Sequence, residues 1–157
     1  MTKKKIFDFF IILLIFSLDR ISKIIIIDLN KTNELTNYRL TSFLNLDLVW
    51  NQGIAFGLFS FNENMYYNIL TLIIVIVTLI VFILMLNSNG LQKYGFLIVF
   101  GGSLGNIFDR LYYSSVPDFI DIHIKNFHWF IFNVADIFIT LGVLLLIFTE
   151  FFKLNND

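Results

Sequence analysis

The chain has 157 residues, of which 57% are hydrophobic and only 15% charged, and its mean hydropathy is +0.79; soluble domains average roughly 25% charged residues. That is the composition of an integral membrane protein, expected as one lipid-embedded domain over residues 1–157. With no cysteine there is no disulfide or Cys-based metal site, two histidines are too few for an imidazole cage, and a net charge of −1 with scattered acids and bases lacks the basic patch of a nucleic-acid binder.

Four apolar runs, each near the ~20 residues that cross a hydrocarbon core, predict an all-α membrane protein with four transmembrane helices at about 6–27, 69–86, 94–113 and 130–152. Lys3, Lys4 and Lys5 precede the first run, Lys93 lies between the second and third, and Lys153 follows the fourth. An even number of crossings puts all five on one side, which the positive-inside rule makes the cytoplasm, with both termini inside. The first run is read as a helix and not a cleaved leader, because no small-x-small site follows Leu18 and the stretch continues through Asp19 to Ile27. The outer segment 28–68 holds a polar stretch to Thr41, then Phe43, Leu44, Leu46, Leu48, Val49 and Trp50 in partial alternation, which predicts a small β or amphipathic element between helices 1 and 2. A shorter outer loop is expected around 115–129, with His123 and His128 in it.

Polar residues inside the runs follow helical spacing. Asp19, Ser22 and Lys23 share a stripe on the first helix, Asn106, Asp109 and Arg110 on the third, and Asn133, Asp136 and Thr140 on the fourth. A charged group at a helix centre costs at least ~2.5 kcal/mol in a bilayer, so the three stripes are expected to converge on a shared pocket near the outer surface. A fourth helix starting near Trp129 would put Asp136 about 10 Å inside it. Pro117 forces Val116 toward extended geometry, so Asp118 is expected in the exit from the third helix. Two carboxylates brought close share one proton, and such a pair can activate water for peptide hydrolysis without a cofactor.

These residues also carry a resemblance. Asp19-Arg20-Ile21-Ser22-Lys23, Asn51-Gln52-Gly53-Ile54-Ala55-Phe56, Gly101-Gly102-Ser103-Leu104-Gly105-Asn106-Ile107-Phe108-Asp109-Arg110, Val116-Pro117-Asp118-Phe119 and Phe132-Asn133-Val134-Ala135-Asp136 follow one another in the order found in the lipoprotein signal peptidases. The chain resembles that family, signal peptidase II, along essentially its whole length. Arg20 stands where the family usually has Gln, Pro117 where a small aliphatic is common, and Phe130 where a proline is frequent. The resemblance implies a four-helix aspartyl endopeptidase of the bacterial inner membrane that cuts prolipoproteins before a diacylglyceryl-modified cysteine, outside the cytoplasmic face. It places the catalytic pair on Asp118 and Asp136, and supporting or substrate-contacting roles on Asp19, Lys23, Asn51, Gly53, Asn106, Asp109, Arg110 and Asn133. The expected partners are the lipid-modified prolipoprotein and membrane lipids, the enzyme acting as a monomer without metal or cofactor. The outer segment 43–61 would clamp the substrate.

Simpler roles stand beside these. Gly101 and Gly105 suit close helix packing, Asp19 with Lys23 a buried structural ion pair, and Asn106 and Asn133 interhelical hydrogen bonding. Arg110 either snorkels to headgroups or pairs with Asp109 or a lipid phosphate. A proton-coupled transporter would also bury carboxylates, but it needs polar residues at the inner helix ends, where the chain offers little beyond Asp8. A scaffold protein would tolerate loss of either carboxylate, and presenilin-type proteases carry a Gly-x-Gly-Asp segment absent here.

Overall fold

In the computed structural model, which describes residues 3–32, 38–53, 64–124 and 127–154, four helices are accompanied by two pairs of strands. They are α1 (Lys3–Lys31), α2 (Asn64–Asn87), α3 (Gly90–Tyr113) and α4 (Val134–Leu154), with β1 (Tyr38–Arg39) and β2 (Leu44–Asn51) after α1, and β3 (Val116–Ile124) and β4 (Phe127–Phe132) after α3. The strands form one antiparallel sheet in the order β1-β2-β3-β4. Because β2 pairs with β3, the segments that follow α1 and α3 meet at one end of the helices. The stretches Met65–Asn87 and Val134–Phe152 are long and apolar enough to cross a membrane, and their exposed Leu72, Ile76, Leu79, Ile83, Leu144, Ile147 and Phe151 suit a lipid surround.

α1 and α3 carry more charge, and away from the exposed ends of α1 much of it is turned inward: Asp19, Arg20, Lys23, Asp109 and Arg110 are all buried. Glycines let α3 approach its neighbours. A Cβ on Gly101 would lie 3.1 Å from Ile15 Cβ, and one on Gly105 3.0 Å from Asp19 Cγ, so this face packs on α1. A Cβ on Gly102 would lie 2.7 Å from the Ala135 carbonyl, so the adjacent face packs on α4. The packing role expected of Gly101 and Gly105 is what these contacts show.

Several expectations change. The protein is mostly helical but not all-α, because the sheet extends through residues 116–132, where a loop was expected. The fourth helix begins at Val134 and not near 129 or 130, since Phe127–Phe132 pair with β3 as a strand. Asp136 therefore sits in the first turn of α4, about 3 Å along its axis and not about 10 Å. An apolar aromatic run such as Phe127–Phe132 reads equally as helix or buried strand, and here strand pairing decides. His123 and His128, expected in a loop, face each other across β3 and β4. The partial alternation at 43–50 does become a strand, and α3 ends at Tyr113 with Ser114 in the left-handed region (φ 54°) before the extended Val116-Pro117.

Candidate active site

The sheet register and the start of α4 bring Asp118 and Asp136 to one place. Asp118 lies on β3 opposite Val49, and Asn51, further along β2, pairs with Val116. Asp118 was expected in a helix exit, and the strand instead gives it a fixed orientation. Pro117 fits this strand because β3 pairs with β4 only from Ile120 onward, so the missing N–H breaks no bond on that side.

Asn133 connects the two carboxylates. Its Nδ2 donates to Asp118 Oδ1 at 2.6 Å. Its Oδ1 accepts the Asp136 N–H at 3.1 Å, and its own N–H donates to Asp136 Oδ2 at 3.2 Å. The last two bonds are a reciprocal cap on α4, with Asn133 as the N-cap and Asp136 three residues later. The capping requirement of the helix thus fixes one carboxylate, while the amide of the same cap residue holds the other. Asn51 Nδ2 donates to Asp118 Oδ2 at 2.8 Å, and Asn106 Nδ2 to Asp136 Oδ1 at 2.8 Å.

Burial, and next the negative charge of Asp136, raise the Asp118 pKa to about 7; the Asn51 and Asn133 hydrogen bonds and Lys23 oppose the rise. Asp118 is 3% exposed, so desolvation of its anion is nearly complete.

A charged network lies beside the pair. Lys23 Nζ donates to Asp19 Oδ2 at 2.9 Å, to Asn106 Oδ1 at 2.9 Å and to Asp109 Oδ2 at 2.6 Å, so all three ammonium protons are used. Arg20 Nη1 donates to Asp109 Oδ1, and its guanidinium lies 4.8 Å from the centre of the Phe108 ring. Asp19 Oδ1 accepts the Ala135 N–H at 3.0 Å, which ties α1 to the first turn of α4. Two carboxylates and two cations balance, as burial requires.

The expected ion pair of Asp19 with Lys23 is present, and Arg20 is a member the sequence reading passed over. Arg110 takes a third course: it does not pair with Asp109 but donates through Nη2 to the Gly53 carbonyl, with Tyr67 against its guanidinium at 5.6 Å. Gly53 N–H also donates to Asn51 Oδ1 at 2.7 Å, so Gly53 is anchored from two sides. The remaining stripe positions stay apart: Ser22 bonds the Asp19 carbonyl within its own helix, and Thr140 is exposed. Of the proposed clamp, 54–61 lies outside the described residues, while Trp50 packs 5.3 Å from Tyr113.

Among known proteins, the family model described as "Signal peptidase (SPase) II" matches residues 11–152. The chain is 47% identical to the lipoprotein signal peptidase of Pelagibacter ubique over 146 residues, covering 93% of this chain and 88% of that protein. It is 34% identical to the lipoprotein signal peptidase of Anaplasma phagocytophilum, covering 96% of both. A bacterial membrane enzyme solved at 2.3 Å by the in meso method superposes with a TM-score of 0.77 at 26% identity, covering 96% of this chain and 90% of the other. A second, solved at 1.9 Å, gives a TM-score of 0.68 at 27% identity and covers 91% of each.

Proposed function

The chain belongs to the signal peptidase II family, and from that premise we propose that it removes signal peptides from diacylglyceryl-modified prolipoproteins, cutting before the lipidated cysteine with Asp118 and Asp136 as an aspartyl dyad. The observation that carries this reading is Asn133, which hydrogen-bonds both carboxylates from one helix cap. The Asp118 pKa near 7 suits a pair that holds one proton between two acids.

Asp118 is the partner that holds the proton, and Asp136, at a helix N-terminus where negative charge is favoured, acts as the base. Asp136 takes a proton from water as that water attacks the scissile carbonyl. Asp118 donates a hydrogen bond to the carbonyl oxygen as it becomes an oxyanion and then supplies a proton to the leaving amine. A protonated Asp118 oxygen keeps a lone pair, so its bonds from Asn51 and Asn133 persist in that state. The proton that Asp136 took from water then passes to Asp118, which returns both residues to their starting forms.

All four helices cross the bacterial inner membrane, both termini lie in the cytoplasm, and the sheet lies at the extracytoplasmic surface. The dyad, on β3 and in the first turn of α4, is at that interface. The substrate's acyl chains stay in lipid while its scissile bond reaches the carboxylates from the side.

The test is cleavage of a diacylglyceryl-modified prolipoprotein by the purified full-length chain in detergent, comparing wild type with Asp118→Asn and Asp136→Asn. The wild type cuts before the lipidated cysteine, and both folded variants lose at least ~10³-fold in rate. Cleavage retained by either folded variant removes that residue from the dyad.

A further inference from the structure

The β3–β4 hairpin carries a second cluster that the dyad does not use. Asp121 and His123 are two apart on β3, and His123 pairs with His128 on β4. A register shift falls between Asp121 and His123, where the strand departs from regular pairing. His128 Nδ1 lies 3.0 and 2.8 Å from the two Asp121 carboxylate oxygens, His123 Nδ1 lies 3.8 Å from Asp121 Oδ2, and the imidazoles stack with centres 5.1 Å apart. One ligand atom from each of the three lies within 4.8 Å of the others.

A separate observation points to a ligand. His123 is 2% exposed, and both its ring nitrogens are buried with no hydrogen-bond partner among the described residues. Buried polar groups are nearly always satisfied, and a ring nitrogen beside a second imidazole and a carboxylate is suited to a metal ion.

We propose that Asp121, His123 and His128 form a zinc site that clips β3 to β4. Two imidazoles and one carboxylate are a donor set that zinc accepts and that magnesium and calcium, which prefer oxygen alone, do not. Ligands about 2.1 Å from a tetrahedral ion lie about 3.4 Å apart, so the present 4.8 Å envelope has to tighten by about 1.4 Å around the ion. His128, whose side chain is 55% exposed, gives the ion a way in from solvent. Asp121 is three residues from Asp118 on the same strand, about 10 Å away, so the clip steadies the strand that carries Asp118 without touching that carboxylate.

The experiment uses full-length protein without a polyhistidine tag, purified in detergent and stripped with chelator. Zinc is titrated against a competing indicator, cobalt is added as a spectroscopic probe, and melting is followed with zinc or with magnesium. The expected result is one zinc per chain, visible bands of tetrahedral cobalt, and a melting temperature raised by zinc but not by magnesium. His128→Ala, at the exposed position, and Asp121→Asn, of equal size, each weaken zinc binding at least ~100-fold while the apo fold persists. Substoichiometric binding by the wild type, or unchanged affinity in folded His128→Ala, overturns the site. All three measurements omit substrate, so their failure leaves the peptidase reading standing.

Discussion

Asn133 has two duties, and two substitutions separate them. Its Oδ1 caps α4, and its Nδ2 donates to Asp118. Asn133→Ala removes both, whereas Asn133→Ser keeps a side-chain acceptor of equal capping strength and loses only the amide donor. Loss of the cap costs about 1 kcal/mol, or about 2–4 °C in melting temperature for a chain of this size. Loss of a hydrogen bond to a charged dyad costs roughly 1.5–3 kcal/mol, which is about 10- to 150-fold in kcat/KM if it acts in the transition state. Asn133→Ser should therefore melt near the wild type and cleave about 10- to 150-fold more slowly, and Asn133→Ala should show both losses. The Asn133 bond also lowers the Asp118 pKa, so its removal should move the alkaline limb of the pH profile above about 7. The assay is prolipoprotein cleavage across pH alongside thermal melting in the same detergent. Wild-type turnover in Asn133→Ser would refute the link between the cap and the dyad.

Two further variants test the electrostatics. The folded pKa of Asp118, about 7, lies above its ordinary 3.8, so wild-type stability falls as pH rises between those values and levels off above about 7. Asp118→Asn has no proton to lose there: it should be inactive, and its melting temperature relative to wild type should rise from pH 5 to pH 8. A gap that stays flat across that range means Asp118 is not buried as described. Lys23→Met leaves Asp19 and Asp109 facing Arg20 alone, a loss of about 3–5 kcal/mol that should lower melting by at least ~6 °C. Adding Asp19→Asn should restore part of it by rebalancing charge; a single variant that melts like the wild type would sink the network's structural role.

The helices were legible because each rests on a long apolar run, and α3 ends at Tyr113 as the Val116-Pro117 geometry requires. The polar stripes were legible because helical spacing places Asp19 with Lys23, and Asn106 with Asp109, on common faces. The sheet at 116–132 was not, since its pairing is set by contacts between β2, β3 and β4 that are distant in sequence. The same blindness hid the histidines: His123 and His128 are ordinary loop residues until strand pairing sets them opposite each other. Arg20 escaped because it lies next to Asp19, off the stripe that Asp19 shares with Lys23, and its partner Asp109 is on another helix. One local signal was available for Asp136, because Asn133 three residues ahead of it is a cap pattern that marks a helix start at 134.

The placement of Lys23 explains how Asp118 and Asp136, the pair proposed to be catalytic, can lie near a buried cation. An ammonium bonded directly to Asp136 would hold that carboxylate as a tight ion pair and make it a poor base. Here Asp19 and Asp109 occupy two of the three Lys23 protons, and the third goes to the carbonyl of Asn106. That bond fixes which end of the Asn106 amide faces inward, so its N–H points at Asp136 Oδ1. The hydrogen bond from the cation therefore reaches Asp136 only through a neutral amide and sets that amide's orientation, while its charge, paired with Asp19 and Asp109, acts on Asp118 through space and opposes the rise of its pKa. Arg20 balances the remaining charge on Asp109, and the Ala135 N–H on Asp19 joins the network to the turn that presents Asp136. Position and charge are thus assigned to different residues, which is the arrangement the proposed exchange of one proton between Asp118 and Asp136 requires.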